Sequence, residues 1–166
     1  MLQPTVRRSW APSGQTPRLV ESARHDRLSL IGAISISPVR RQMDFFFQFH
    51  PGNIDTSRLI PFLQALHRHF RRRVVLIWDN LRVHYKTAKY FSLKHPRWFR
   101  FEYLPPYCPE LNPLEDVWSY LKYGCLANFA PHDLDHLSSR AADSLASLRA
   151  DQNLLPAFLK HTKLLL

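Results

Sequence analysis

Two carboxylates in this chain stand where metal-assisted chemistry could be done. Asp79 ends the apolar run Val74-Val75-Leu76-Ile77-Trp78, and Glu115 follows the proline-rich stretch YLPPYCPELNPLEDVW of residues 103–118. A carboxylate at the C-terminal end of a buried strand lies where open α/β sheets place their ligands. Its hard oxygens suit Mg2+ or Mn2+. Between Leu66 and Arg100 there are ten Lys and Arg residues and one acid, Asp79 itself, a balance that suits a phosphate backbone. The plainer alternative is that Asp79-Asn80 is a turn pair leaving a strand.

Glu115 also has a plain reading. Asn112-Pro113-Leu114-Glu115 fits an N-cap, a proline at the first helical position and an acid at the third, which is a capping box. That reading leaves the approach unexplained. Four of the 13 prolines fall within residues 103–118, and each restricts the backbone on both sides. Such stiffness suits a side chain that must meet a metal held from elsewhere.

The elements that must position these acids follow from pattern. The chain has 166 residues, 45% of them hydrophobic and 13% aromatic, enough for one domain with a real core. Thr5 to Trp10 reads as a short strand before the turn APSGQTP, and Leu28–Ser35 and Met43–Phe49 as strands about a turn at SPVRR. Asp55 opens a helix with Leu59, Phe62, Leu63, Leu66 and Phe70 on one face. Val74–Trp78 reads as a strand buried on both faces. Helices follow at His84–Lys94, Asn112–Cys125, His132–Arg149 and Leu154–Leu164, with a strand at Phe99–Tyr103. The helix over Asn112–Cys125 buries Leu114, Val117, Trp118 and Leu121, leaving Glu115 at the margin with Ser119 and Lys122. Three antiparallel strands, then alternating helix and strand, then helices make a mixed α/β domain.

The formal charge of +10 is uneven, since residues 126–166 hold four Lys or Arg and four Asp. A local excess of cations points to a polyanion, nucleic acid before membrane, against the alternative of a solvated basic surface. Cys108 and Cys125 form no zinc spacing and suggest packing roles in a reducing compartment. No apolar run approaches the roughly 18 residues a membrane span needs. MLQPTVRRSW lacks the apolar core of a signal peptide, and the reading is a soluble intracellular chain. The stripe Leu134, Leu137, Ala141, Leu145 and Leu148 suits packing on the protein's own sheet, with self-association as the alternative use.

WDNLRVHYK together with YLPPYCPELNPLEDVWSYLK resembles the catalytic domain of DDE transposases of the mariner-like superfamily and related bacterial insertion sequences. Asp79, Asn80 and His84 match one block of that family. Leu104 to Pro113, Glu115, Trp118 and Lys122 match the other, with Cys108 where serine is more usual. RRSWAPSGQTP and LIGAIS are similar to its early strands, so the likeness spans roughly residues 2–128. It implies a ribonuclease H-like mixed sheet flanked by helices, in which three acids bind two Mg2+ or Mn2+ ions for DNA strand cleavage and strand transfer. Asp79 would be the second acid and Glu115 the third. Asn80 and His84 would orient Asp79 or touch substrate, with helix capping or strand packing as the other reading of His84. Lys122 would contact a phosphate or remain solvated. Arg82, Lys86, Lys89, Arg71, Arg72 and Arg73 would bind DNA.

The family's first acid is expected at the end of a first, central strand upstream of RRSWAP, and this chain shows neither. Asp26 and Asp44 follow no buried apolar strand and are not assigned to the triad. The expectation is one partial catalytic domain over 1–166, lacking its central strand, with 129–166 a C-terminal helical extension. Its partners would be transposon ends and target DNA, with homo-oligomerisation and no membrane, in the cytoplasm of a bacterium. The alternative is a non-catalytic DNA-binding or regulatory remnant.

Overall fold

The computed structural model describes residues 5–15, 18, 27–39 and 42–162. The chain folds as two compact units, one from residues 1–53 and 114–161, the other from 54–113 and 162–166.

In the first unit, β1 (Leu28–Ile36) and β2 (Met43–Pro51) pair antiparallel, with Gly32 opposite Phe47 and Leu28 opposite Pro51. Both run one or two residues past the expected ends. The expected third strand at Thr5 to Trp10 does not form. Thr5 makes a single parallel bridge with Ala127, and residues 6–12 are irregular. Pro12 and Gly14 allow only a turn there, in which Gln15 N–H donates to the Pro12 carbonyl.

Helix α3 (Pro113–Ser119) starts with proline at its first position, as the capping pattern predicts. It does not continue as α to Cys125. From Tyr120 to Cys125 the turns widen into a π-helix, and Leu126 N–H donates to the carbonyl of Leu121, five residues back. Helices α4 (Leu134–Ala150) and α5 (Leu154–His161) complete the unit. Asp133 caps α4 by accepting from His136 N–H at 2.7 Å. The core joins Phe45 of β2, Val117 and Leu121, Ala141, Leu145 and Leu148 of α4, and Leu155 of α5. Ala141, Leu145 and Leu148 of the α4 stripe pack in this core, while Leu134 and Leu137 are half-buried outside it.

In the second unit, α1 (Thr56–Phe70) is capped by Asp55, whose carboxylate accepts from Arg58 N–H. It buries Leu59, Phe62, Leu63 and Leu66 of the expected stripe, and Phe70 is half-buried. Arg71 closes the helix in the left-handed conformation, φ 52. Strand β3 (Val74–Trp78) pairs in parallel with β4 (Phe99–Tyr103), and α2 (Arg82–Lys94) makes the crossover between them. One expectation fails here. β3 is not buried on both faces, because Val75 is 57% and Ile77 40% exposed while Trp78 is buried. Among the described residues β3 bonds only to β4, so its other edge is unpaired, and Val75 and Ile77 share the exposed face.

Among the described residues no helix is long and apolar enough to cross a membrane. Cys108 and Cys125 are free thiols.

Candidate functional site

β3 delivers Asp79 at its C-terminal end, ahead of the first turn of α2. The carboxylate is 41% exposed. Its Oδ1 accepts from Leu81 N–H at 3.2 Å, the turn expected of an Asp-Asn pair. His84 Nδ1 stands 2.6 Å from the same oxygen and 3.2 Å from the Asp79 carbonyl. Both neighbours are acceptors, so Nδ1 carries a hydrogen and the ring donates. The imidazole lies on the Trp78 indole, ring centres 4.4 Å apart at 5°. Trp78 in turn stacks on Phe101 of β4 at 5.1 Å and 16°. Asp79 Oδ2 takes no hydrogen bond from a described residue, so one hard oxygen stays open beside the positive end of α2.

Asn80 turns the other way. Its Nδ2 donates to the Leu104 carbonyl at 2.6 Å, and its Oδ1 accepts from the Tyr85 hydroxyl. Tyr85 stacks on Tyr103 at 4.6 Å and 13°. Burial against the sheet pushes the Tyr103 phenol up from its ordinary pKa. Tyr85 and Tyr103 are not among the residues that the sequence singles out. The signal that could have found Tyr85 is its place beside His84, on the turn of α2 that follows the Asp-Asn pair.

Glu115 is exposed in the first turn of α3, in the first unit, whereas Asp79, Asn80 and His84 belong to the second. Asn112 N–H donates to the Pro109 carbonyl at 2.9 Å. No described residue bonds the Glu115 carboxylate, which is thus free for another partner. The proline loop before it holds a 3-10 turn at Pro109–Leu111, and Tyr107 sits fully exposed at φ 59. Lys122 is exposed on the π-helix, 5.1 Å from the centre of the Tyr123 ring. There it follows the change of turn, so its bearing from Glu115 is not that of a continuous α-helix.

Arg82, Lys86 and Lys89 are exposed at i, i+4 and i+7 of α2, one face of the helix that begins beside Asp79. Arg71, Arg72 and Arg73 are exposed too, but they precede β3. At about 3.3 Å per residue, the strand Val74–Trp78 between them holds even Arg73 roughly 20 Å from Asp79. The structure therefore divides the six cations between the two ends of the strand. Asp44 is engaged by Arg149, Nε to Oδ1 at 2.6 Å and Nη2 to Oδ2 at 2.8 Å. Asp26 lies outside the described residues.

Hard carboxylate oxygens, one open on Asp79 and both open on Glu115, are donors of the type Mg2+ or Mn2+ takes. Among the described residues no three His, Cys, Asp or Glu side chains gather about a common point. The donors fit in kind, and the set is short in number for two ions.

A family model described as DDE superfamily endonuclease matches residues 1–138, and the chain belongs to that family. No match was found among curated proteins. Among solved structures, the crystal structure of the Mos1 strand transfer complex is similar at 16% identity and a TM-score of 0.49. The match covers 98% of this chain and 52% of that one, so the chain spans about half its length.

Proposed function

We propose that this DDE superfamily endonuclease chain carries two acids, Asp79 and Glu115, of a transposase-type site for DNA strand cleavage and strand transfer. The observation that carries the reading is the end of β3, where His84 and the Leu81 N–H hold one oxygen of Asp79 and leave the other open. Two divalent ions held there would activate the attacking water or 3′-hydroxyl and stabilise the leaving oxygen of an in-line displacement. His84 orients the Asp79 carboxylate, and removing such a partner commonly weakens metal binding about 10–100-fold.

The reading requires the two units to act as one ribonuclease H-like domain over 1–166, with 129–166 as its C-terminal helical extension. It also requires a third acid. The edge of β3 away from β4 bonds to no described strand. We assign that edge to the sheet's first, central strand, which would end in the first acid of the triad. With two acids alone, the charge of two divalent ions is incompletely balanced and cleavage is weak.

Transposon ends and target DNA would lie along the α2 face of Arg82, Lys86 and Lys89, with Lys122 on a phosphate. Self-association on paired ends and a bacterial cytoplasmic location, on the nucleoid when DNA is bound, complete the proposal.

The test is incubation with labelled transposon-end DNA and Mn2+, with and without a polypeptide supplying the central strand. Cleavage should appear with that polypeptide and vanish in Asp79→Ala and in Glu115→Ala. Cleavage that survives both substitutions overturns the assignment. Salt-dependent DNA binding with no metal binding at either acid would favour the non-catalytic remnant instead.

A further inference from the structure

We propose that Tyr85 is a positioning residue: through Asn80 it clasps the Asp79 end of β3 to the first residue of the proline loop. Leu104 is that residue, directly after β4 and 7% exposed. It is gripped on both sides. Its N–H donates to the Trp78 carbonyl at 2.9 Å, and its own carbonyl accepts from Asn80 Nδ2 at 2.6 Å. The β3–β4 ladder is thereby extended by one rung made with a side chain, between residues 24 positions apart.

That rung works only if the Asn80 carboxamide faces the right way. The Leu104 carbonyl can only accept, so the amide nitrogen must point at it and Oδ1 must point away. Oδ1 accepts from the Tyr85 hydroxyl, which holds the carboxamide in this orientation, while the flipped amide would set Oδ1 against the Leu104 carbonyl oxygen. The Tyr85 ring is held in turn by its stack on Tyr103, the last residue of β4. The links therefore end on Tyr103, the last residue of β4, and on Leu104 directly after it. Asp79 is fixed between a backbone bond at Trp78 and this clasp at Asn80, while the loop leading to Glu115 starts from the same point. Both matched blocks of the sequence are tied at their nearer ends by Tyr85, which lies within the first block but carries no role assigned from the sequence.

The effect on metal rests on the function proposed above; the clasp itself does not. Tyr85→Phe keeps the ring and its stack but removes the hydroxyl. In the full chain, it should leave thermal unfolding little changed and speed hydrogen exchange of the Asn80 side-chain amide severalfold, as seen by NMR. Mn2+ affinity at Asp79 should weaken about tenfold, the scale expected when a ligand's supporting hydrogen bond is removed. Asn80→Ala should match it in Mn2+ affinity, and the double variant should add nothing further. Unchanged Asn80 exchange in Tyr85→Phe overturns the clasp, whatever the metal does. Faster exchange with unchanged Mn2+ affinity, in a protein whose Mn2+ binding is abolished in Asp79→Ala, overturns the positioning role. If Mn2+ binding ignores Asp79→Ala, the proposed function fails, and the exchange measurement still decides the clasp.

Discussion

Trp118 fills the space that any side chain at residue 32 would need. A Cβ on Gly32 would stand 2.5 Å from Trp118 Cη2 and 3.1 Å from Cζ2, with Phe45 Cε2 at 3.2 Å. The helix that carries Glu115 is seated on β1 through this close approach, so a glycine is required mid-strand, where it otherwise weakens pairing.

Gly32→Ala should therefore destabilise the protein by about 1–3 kcal/mol, the usual cost of overpacking. Trp118→Phe in the same background should recover part of the loss, because the smaller ring vacates the position of the indole's outer carbons. Urea unfolding of the two singles and the double measures it. An alanine variant as stable as the parent would show that the indole moves aside freely.

Asp44 and Arg149 form a bidentate pair between β2 and α4, half-exposed on the arginine side. The hydrogen bond to Asp44 holds the Arg149 guanidinium above its ordinary pKa. Exposed pairs of this kind contribute about 0.5–1 kcal/mol, so Arg149→Ala should cost little more than that. Asp44→Asn should weaken stability by a similar amount and leave Mn2+ affinity unchanged. A loss of metal binding in Asp44→Asn would move that acid into the site.

Asp55 and Asp133 each cap a helix, and both carboxyls lie below the ordinary value of 3.8. For Asp55 the chief cause is the Ser57 hydroxyl, and for Asp133 the His136 backbone N–H. A depressed folded pKa means that the unfolded chain takes up protons first as pH falls. The contribution of each cap is present above about pH 4 and is lost as pH drops through the folded values. Unfolding midpoints measured from pH 5 to 2 should fall less steeply in Asp55→Asn and Asp133→Asn. Parallel curves for parent and variants would count against the caps.

DNA affinity should depend steeply on salt. Replacing Arg82, Lys86 and Lys89 together with alanine should lower the slope of log K against log salt by about 2–3, near 0.9 for each phosphate no longer neutralised. The same change at Arg71, Arg72 and Arg73 should weaken binding without altering cleavage geometry, since those residues sit at the far end of β3. An unchanged slope in the α2 variant would remove that helix from the interface.

Much of this was legible locally. Phe99–Tyr103 and Val74–Trp78 are strands at the residues their β-branched and aromatic runs indicate, and Asp55 opens α1 as its capping pattern requires. Caps, prolines and short apolar runs act within a few residues, so their effect can be read without a partner. β3 shows where that stops. An unbroken apolar run states that a strand can be covered on both faces, whereas exposure of Val75 and Ile77 depends on which neighbours the sheet has. The π-helix after Ser119 departs from the expected α-helix to Cys125; Leu121 within it joins the core, and Leu126 after it packs against that core.

The amino-acid sequence by itself determined that Asp79 closes a strand, that a stiffened loop precedes the helix of Glu115, and which family both blocks belong to. Only the tertiary structure decided how Asp79 is held, with His84 on one oxygen and a clasp of Tyr85, Asn80 and Leu104 beside it. The reason is distance along the chain. A hydrogen bond between Asn80 and Leu104 exists only once β3 and β4 have paired, and nothing in either residue's own neighbourhood announces it.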